Sequence, residues 1–166
     1  EFRRVLFRSR KEALAGPGKP TVGRQIALEP LKSARATTLS PRMQSDISEF
    51  NRVAGGGLVP GSATLIGGDP GIGKSTLLLQ LTCNLSKRGF RAAYISGEES
   101  ADQVRMRANR LGLTNAAVKL GTATNASDIA ASMTGTERPE IVVIDSIQTM
   151  FLPNLDAAPG TVSQVR

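Results

Sequence analysis

Gly68-Asp69-Pro70-Gly71-Ile72-Gly73-Lys74-Ser75 fits the spacing G-x-x-x-x-G-K-[ST], which suits wrapping backbone around a row of phosphates. Glycines let successive N–H groups turn inward around an anion with no Cβ in the way. The helix expected after the loop adds its unpaired first N–H groups and the positive end of its dipole. Lys74 brings a mobile charge for the β- and γ-phosphates, and the Ser75 hydroxyl is a Mg²⁺ ligand. The candidate phosphate-binding set is Gly68, Asp69, Pro70, Gly71, Ile72, Gly73, Lys74, Ser75 and Thr76. The bland alternative is a glycine turn that happens to precede a helix. The flanks speak against it, since residues 62–67 read as a strand and 75–88 as a helix.

Three acids stand where they can serve such a loop. Asp145 ends the apolar run Ile141-Val142-Val143-Ile144. An acid at the tip of a buried strand can hold the Mg²⁺ shell, commonly through water. Glu98 and Glu99 end the strand after the loop's helix, and a carboxylate there could orient and deprotonate a water in line with the γ-phosphate. Two adjacent side chains cannot both point the same way, so only one of the pair takes that role. The alternatives are a plain strand-end acid and two solvated loop acids.

The elements that must position these groups are marked along the chain. Order is expected from Arg42, with Met43, Ile47 and Phe50 at helical spacing. Gly55-Gly56-Gly57 stops that helix, as a tight bend rather than a second phosphate cradle. After the loop, Leu77, Leu78, Leu81 and Leu85 share one helical face, and Gly89 ends the helix. Residues 91–96 form the next strand. Ser100 and Gln103 match a capping box for a helix with Val104, Ala108 and Leu111 inward. Arg105, Arg107 and Arg110 ride its other faces, as solvated charges or as contacts to DNA or a neighbouring subunit. A short strand at 118–121 precedes a helix opened by Asn125 and Asp128, which Pro139 breaks. Residues 141–145, apolar without alternation, suit a central parallel strand covered on both faces. The order β-α-β-α-β-α-β predicts an α/β fold with a parallel sheet and its ligand at the strand carboxyl ends.

Composition bounds the rest. The chain has 166 residues, 40% hydrophobic and 4% aromatic, so its core is aliphatic. There is no histidine, which removes His-based catalysis and His metal sites. Cys83 is the only cysteine. It cannot form an intrachain disulfide and reads as a buried thiol of a cytoplasmic chain. No apolar run reaches membrane-spanning length, so no membrane is expected among the partners. The net charge of +7 is carried by residues 1–41, where nine Lys/Arg face three Asp/Glu; over 42–166 the counts are twelve and eleven. Residues 1–41 read as a disordered basic tail or linker, with 1–9 foreign in style to the rest of the chain. Residues 42–166 read as the folded domain. The small, polar stretch 153–166 suits a mobile loop.

The chain resembles the bacterial RadA (Sms) family of RecA-like DNA repair ATPases. The matching text is GGGLVPG at 55–61, LIGGDPGIGKSTLLLQ at 65–80, YISGEES at 94–100, QVRMRANRLG at 103–112, VVIDSIQTM at 142–150 and APGTVSQVR at 158–166. The resemblance implies a RecA-like P-loop NTPase fold, with 42–166 the amino-terminal part of that ATPase domain. It implies ATP with Mg²⁺ as the ligand, and single-stranded DNA and RecA as partners. The activity implied is that of a homo-hexameric, DNA-dependent motor for branch migration in recombination. It assigns Lys74 and Glu98 as catalytic residues, choosing Glu98 over Glu99. The family also carries a four-cysteine zinc ribbon, which a single cysteine cannot build, and a KNRFG segment and Lon-protease-like domain that this chain stops short of. Two other readings stand beside the motor: a RecA-fold module that binds nucleotide without turnover, and a gene fragment with no function of its own.

Overall fold

The structure, a computed structural model, describes residues 6–7, 28 and 41–153. The readings of the rest of the tail and of residues 154–166 fall outside them. In chain order the elements are β1 (Leu6–Phe7), α1 (Ser48–Val53), β2 (Ala63–Thr64), α2 (Lys74–Lys87), β3 (Ala92–Ser96), α3 (Ala101–Arg110), β4 (Val118–Thr122), α4 (Ala126–Ser132) and β5 (Ile141–Asp145). A 3₁₀ turn, Ile147–Thr149, comes after β5.

β3, β4 and β5 form a parallel sheet in the order β4-β3-β5. Residue for residue, Ala92–Ser96 lies against Val118–Thr122 on one side and Ile141–Asp145 on the other. Alternation along each strand sends side chains to both faces, and helices cover both. On one face Leu79 and Cys83 of α2, Val104 of α3 and Leu113 pack on Tyr94 and Val143. Leu81 and Leu85 of α2 close over Ala92 and Ile141 beside Met43. On the other face Ile129 of α4 and Met150 pack on Ile95. This is the α/β arrangement that the strand-helix alternation predicts.

The middle strand is β3, not β5. β5 pairs with β3 alone among the described strands, so the apolar run 141–145 stands at an edge. Its apolar character comes from having helices on both faces, a demand that edge and central strands of a layered sheet share. The segment before the phosphate loop also departs from expectation. Only Ala63–Thr64 is strand, and it pairs antiparallel with Leu6–Phe7, apart from the parallel sheet. Leu65 is in consequence 54% exposed. With Phe50, Val53, Val59, Ile66 and Leu77 it lines an apolar groove of about 230 Å³.

Met43 is not helical. It forms an antiparallel bridge with Leu58, and α1 begins only after Ile47. The Asn51 side chain accepts from Ser45 N at 3.0 Å and donates to Ser45 O at 2.5 Å. Those bonds satisfy backbone that a longer helix would have used internally. Gly57, at φ 122°, brings its Cα close to the Met43 carbonyl, where a Cβ would sit 2.6 Å from the oxygen. Arg42 donates to Ala54 O and Gly57 O, each at 3.2 Å. The glycine triplet is therefore a bend locked to the preceding chain. α2 is buried more widely than one leucine face. Leu79, Thr82 and Cys83 are buried with Leu81 and Leu85, while Leu77 and Leu78 are half-buried, because α2 sits between the sheet and the 43–58 segment. α4 ends at Ser132, ahead of Pro139.

Candidate nucleotide site

The phosphate loop runs into α2 at Gly73, whose φ of 99° is left-handed; Gly71, at 79°, is also in that region. Only glycine takes such angles without strain. A Cβ added at either would meet nothing within 4 Å, so conformation rather than crowding requires these glycines. No side chain caps α2, which leaves its first N–H groups available to an anion. Lys74 Nζ donates to Gly68 O at 2.7 Å and Asp69 O at 2.8 Å, folding the ammonium back over its own loop. Ser75 and Thr76 are half-buried in the first turn, and Asp69, Pro70 and Ile72 are exposed along the loop. A glycine-lined ring of amides, a lysine and a hydroxyl is the donor set that a Mg²⁺-nucleotide requires. The residues fit that group.

The acids gather at the carboxyl ends of β3 and β5. Ser96 and Asp145 are register partners, and Gly97 N donates to Asp145 O at 2.9 Å. A Cβ on Gly97 would collide with Thr149 Oγ1 and come within 2.8 Å of Met150 Cε. A side chain at position 97 would thus have to displace those of Thr149 and Met150 in the turn after β5. The peptide bond from Asp145 to Ser146 is cis. The Ser146 hydroxyl donates to Glu98 Oε1 at 2.5 Å, which ties the tip of β3 to the residue after Asp145.

The two glutamates have different surroundings. Glu98 is exposed and bound to Ser146. Glu99 is half-buried in an ion pair with Arg107 of α3, and its backbone N–H is held by Ser96 Oγ at 2.9 Å. Arg107 is therefore no solvated charge, whereas Arg105 pairs with Asp102 at the surface at 2.8 Å and Arg110 is exposed. Ser100 and Gln103 close the expected capping box, so α3 starts where it must for Arg107 to reach Glu99.

Two further residues join the site, Tyr94 and Ser146; both lie in the matched stretches 94–100 and 142–150, yet no spacing rule singles them out. Tyr94 is fully buried, and its hydroxyl donates to Asp145 Oδ2. Desolvation, then the hydrogen bond to Asp145, pushes the phenol pKa far above its ordinary value, so it remains a donor. Burial likewise raises the Cys83 thiol, with Lys87 opposing, as befits an inert core cysteine. No hydrogen bond or ion pair joins the phosphate loop to Glu98 or Asp145 among the described residues. The site comprises two parts, a phosphate cradle and a bonded acid cluster, both on elements that pack together through α2, β3 and β5.

Residues 29–165 match the AAA domain family. The chain belongs to that family. Its relatives include the DNA repair protein RadA of Brucella abortus (strain 2308), 53% identical over 148 residues, which are 87% of this chain and 31% of that protein. RadA of Rickettsia typhi is 56% identical over 126 residues, 75% of this chain and 28% of the relative. RadA of Bacillus subtilis (strain 168) is 49% identical over 130 residues, 78% and 28%. The chain is RadA-like along most of its length and spans about a third of the length of those relatives. The AAA domain family is one of ATPases, and the α/β architecture above is of the RecA-like P-loop kind. Among the described residues no helix is long and apolar enough to cross a membrane.

Proposed function

We propose that this chain is the ATP-binding part of a DNA-dependent ATPase acting in DNA repair and recombination. The observation that carries the reading is the open glycine cradle at the uncapped start of α2, with Lys74 over it. In this reading the amides of residues 71–76 take the phosphates, and Lys74 leaves the Gly68 and Asp69 carbonyls for the β- and γ-phosphate oxygens. Ser75 would hold Mg²⁺ and Asp145 would hold its water shell. Bound Mg²⁺ supplies charge neutralisation at the β- and γ-oxygens. Glu98 accepts a proton from the attacking water, while Ser146 orients its carboxylate. Glu99 is withdrawn by Arg107 and stays out of the reaction. The RadA relatives carry the name DNA repair protein, which supports the repair task; branch migration on single-stranded DNA alongside RecA, by a cytoplasmic homo-hexamer, is the finer form of the proposal.

Fluorescent-ATP titration with Mg²⁺ tests the reading. Wild type should bind, and Lys74→Ala should weaken binding at least about tenfold, the loss of a charge-assisted contact of about 1.5–3 kcal/mol. Equal binding by both would overturn it. A second reading, nucleotide binding without turnover, needs only the cradle, whose glycines and Lys74 are complete without the acids. Phosphate release stimulated by single-stranded DNA would exclude it.

A further inference from the structure

Tyr94 is the only tyrosine in the chain, and it lies fully buried at the centre of the main apolar cluster. Its neighbours there are Leu79, Cys83, Val104, Leu113 and Val143, an environment that a phenylalanine ring would fill equally well. Burying a hydroxyl is costly unless it is bonded. Here the bond runs to one atom, Asp145 Oδ2. Strand register makes this possible: Tyr94 lies opposite Val143, and Asp145 is the next residue of β5 on that face. Oδ1 of Asp145 accepts no hydrogen bond from any described residue, and Asp145 itself is half-buried. The carboxylate is thus held by one oxygen and open at the other. The Glu99–Arg107 pair lies close enough to act on the phenol, the two charges in opposite senses, so the bond to Oδ2 and not the pair fixes the hydroxyl as donor.

We propose that Tyr94 is a positioning residue for the Mg²⁺-loaded nucleotide, fixing Asp145 through Oδ2 so that Oδ1 is presented to the metal's water shell. The inference rests on the proposed nucleotide site. A carboxylate that must find its orientation on binding loses rotational freedom then; one already fixed does not. Hydrogen bonds behind metal-associated groups commonly alter metal affinity by about 10–100-fold. A merely structural hydroxyl would affect stability and binding alike, with or without metal.

The test compares wild type with Tyr94→Phe, which keeps the ring and removes the donor. Fluorescent-ATP affinity is measured in EDTA and across a Mg²⁺ titration, with thermal melting as the folding control. The expected result is a Mg²⁺ midpoint raised about tenfold, with EDTA binding unchanged. An unchanged midpoint, or an equal loss in both conditions, would overturn the inference. Wild type that fails to bind, or binds with no Mg²⁺ dependence, would overturn the nucleotide reading as well, so the two failures are distinguishable. A second arm needs no substitution at position 94. Biosynthetic 3-fluorotyrosine labels this site alone. Its ¹⁹F resonance should move when Mg²⁺ is added to the ATP-bound protein, and should not move in Asp145→Ala. A resonance indifferent to Mg²⁺ in wild type overturns the proposal, and this arm decides the matter if Tyr94→Phe does not fold.

Discussion

Glu98 and Glu99 are neighbours in sequence and have opposite surroundings. Glu98 is exposed and accepts one hydrogen bond, from Ser146. Glu99 is held by Arg107, and Glu99 Oε2 and Arg107 Nη1 are both buried with no further partner among the described residues. Substituting each to glutamine should therefore separate chemistry from structure. Glu98→Gln should keep ATP binding and cut phosphate release by about 10²–10⁴-fold, the usual weight of a positioned general base. Glu99→Gln should lower the melting temperature, since it leaves a half-satisfied guanidinium facing a neutral amide, while binding persists. Turnover assays and melts on the pair check both. The sequence shows two acids at a strand end; which one is free depends on Arg107, further along the chain on α3.

At the scale of elements, the strand ends and the turns beyond them hold the acid cluster together. Gly97 allows the 3₁₀ turn Ile147–Thr149 to close against β3, and that closure places Ser146 on Glu98. Gly97→Ala should push Thr149 and Met150 away and break the Ser146 contact. Phosphate release should then fall more than ATP affinity, because the cradle on α2 is built from other residues. A proportional loss of both would show that the two parts are not separable. The helices themselves are largely legible in the sequence. α2, α3 and α4 start and stop at local signals: Lys74 after glycine, the Ser100–Gln103 box, the Asn125 cap, and glycines at positive φ after α2 and α3. α1 is shorter than its pattern implies. Met43, Ile47 and Phe50 satisfy helical spacing, yet Met43 is a bridge partner of Leu58, a contact across a loop that periodicity cannot register.

For the whole molecule, stability rests on α2 lying across β3 and β5. Leu85 is fully buried there with Leu81, Ala92 and Ile141. Leu85→Ala should cost about 2–5 kcal/mol, measured as a shift in the denaturation midpoint with little change in slope. A loss below about 1 kcal/mol would mean that the site can collapse around the smaller side chain. The P-loop strand contributes little to this core. It stands outside the parallel sheet and leaves an apolar groove against α1.

The sequence by itself determined the form of the candidate cradle, because such a loop is local: its spacing, its glycines and its helix start all lie close together along the chain. It determined the β-α alternation and the acid at the end of an apolar strand for the same reason. Tertiary structure alone decided what the acids touch. Strand register set Tyr94 behind Asp145, the close approach of two strand ends set Ser146 on Glu98, and α3 drew Glu99 aside. It also decided that β3 is the middle strand and that Ala63–Thr64 pairs with Leu6–Phe7. Such pairings join residues far apart in the chain, and they depend on which surfaces bury one another, which no spacing along the chain encodes.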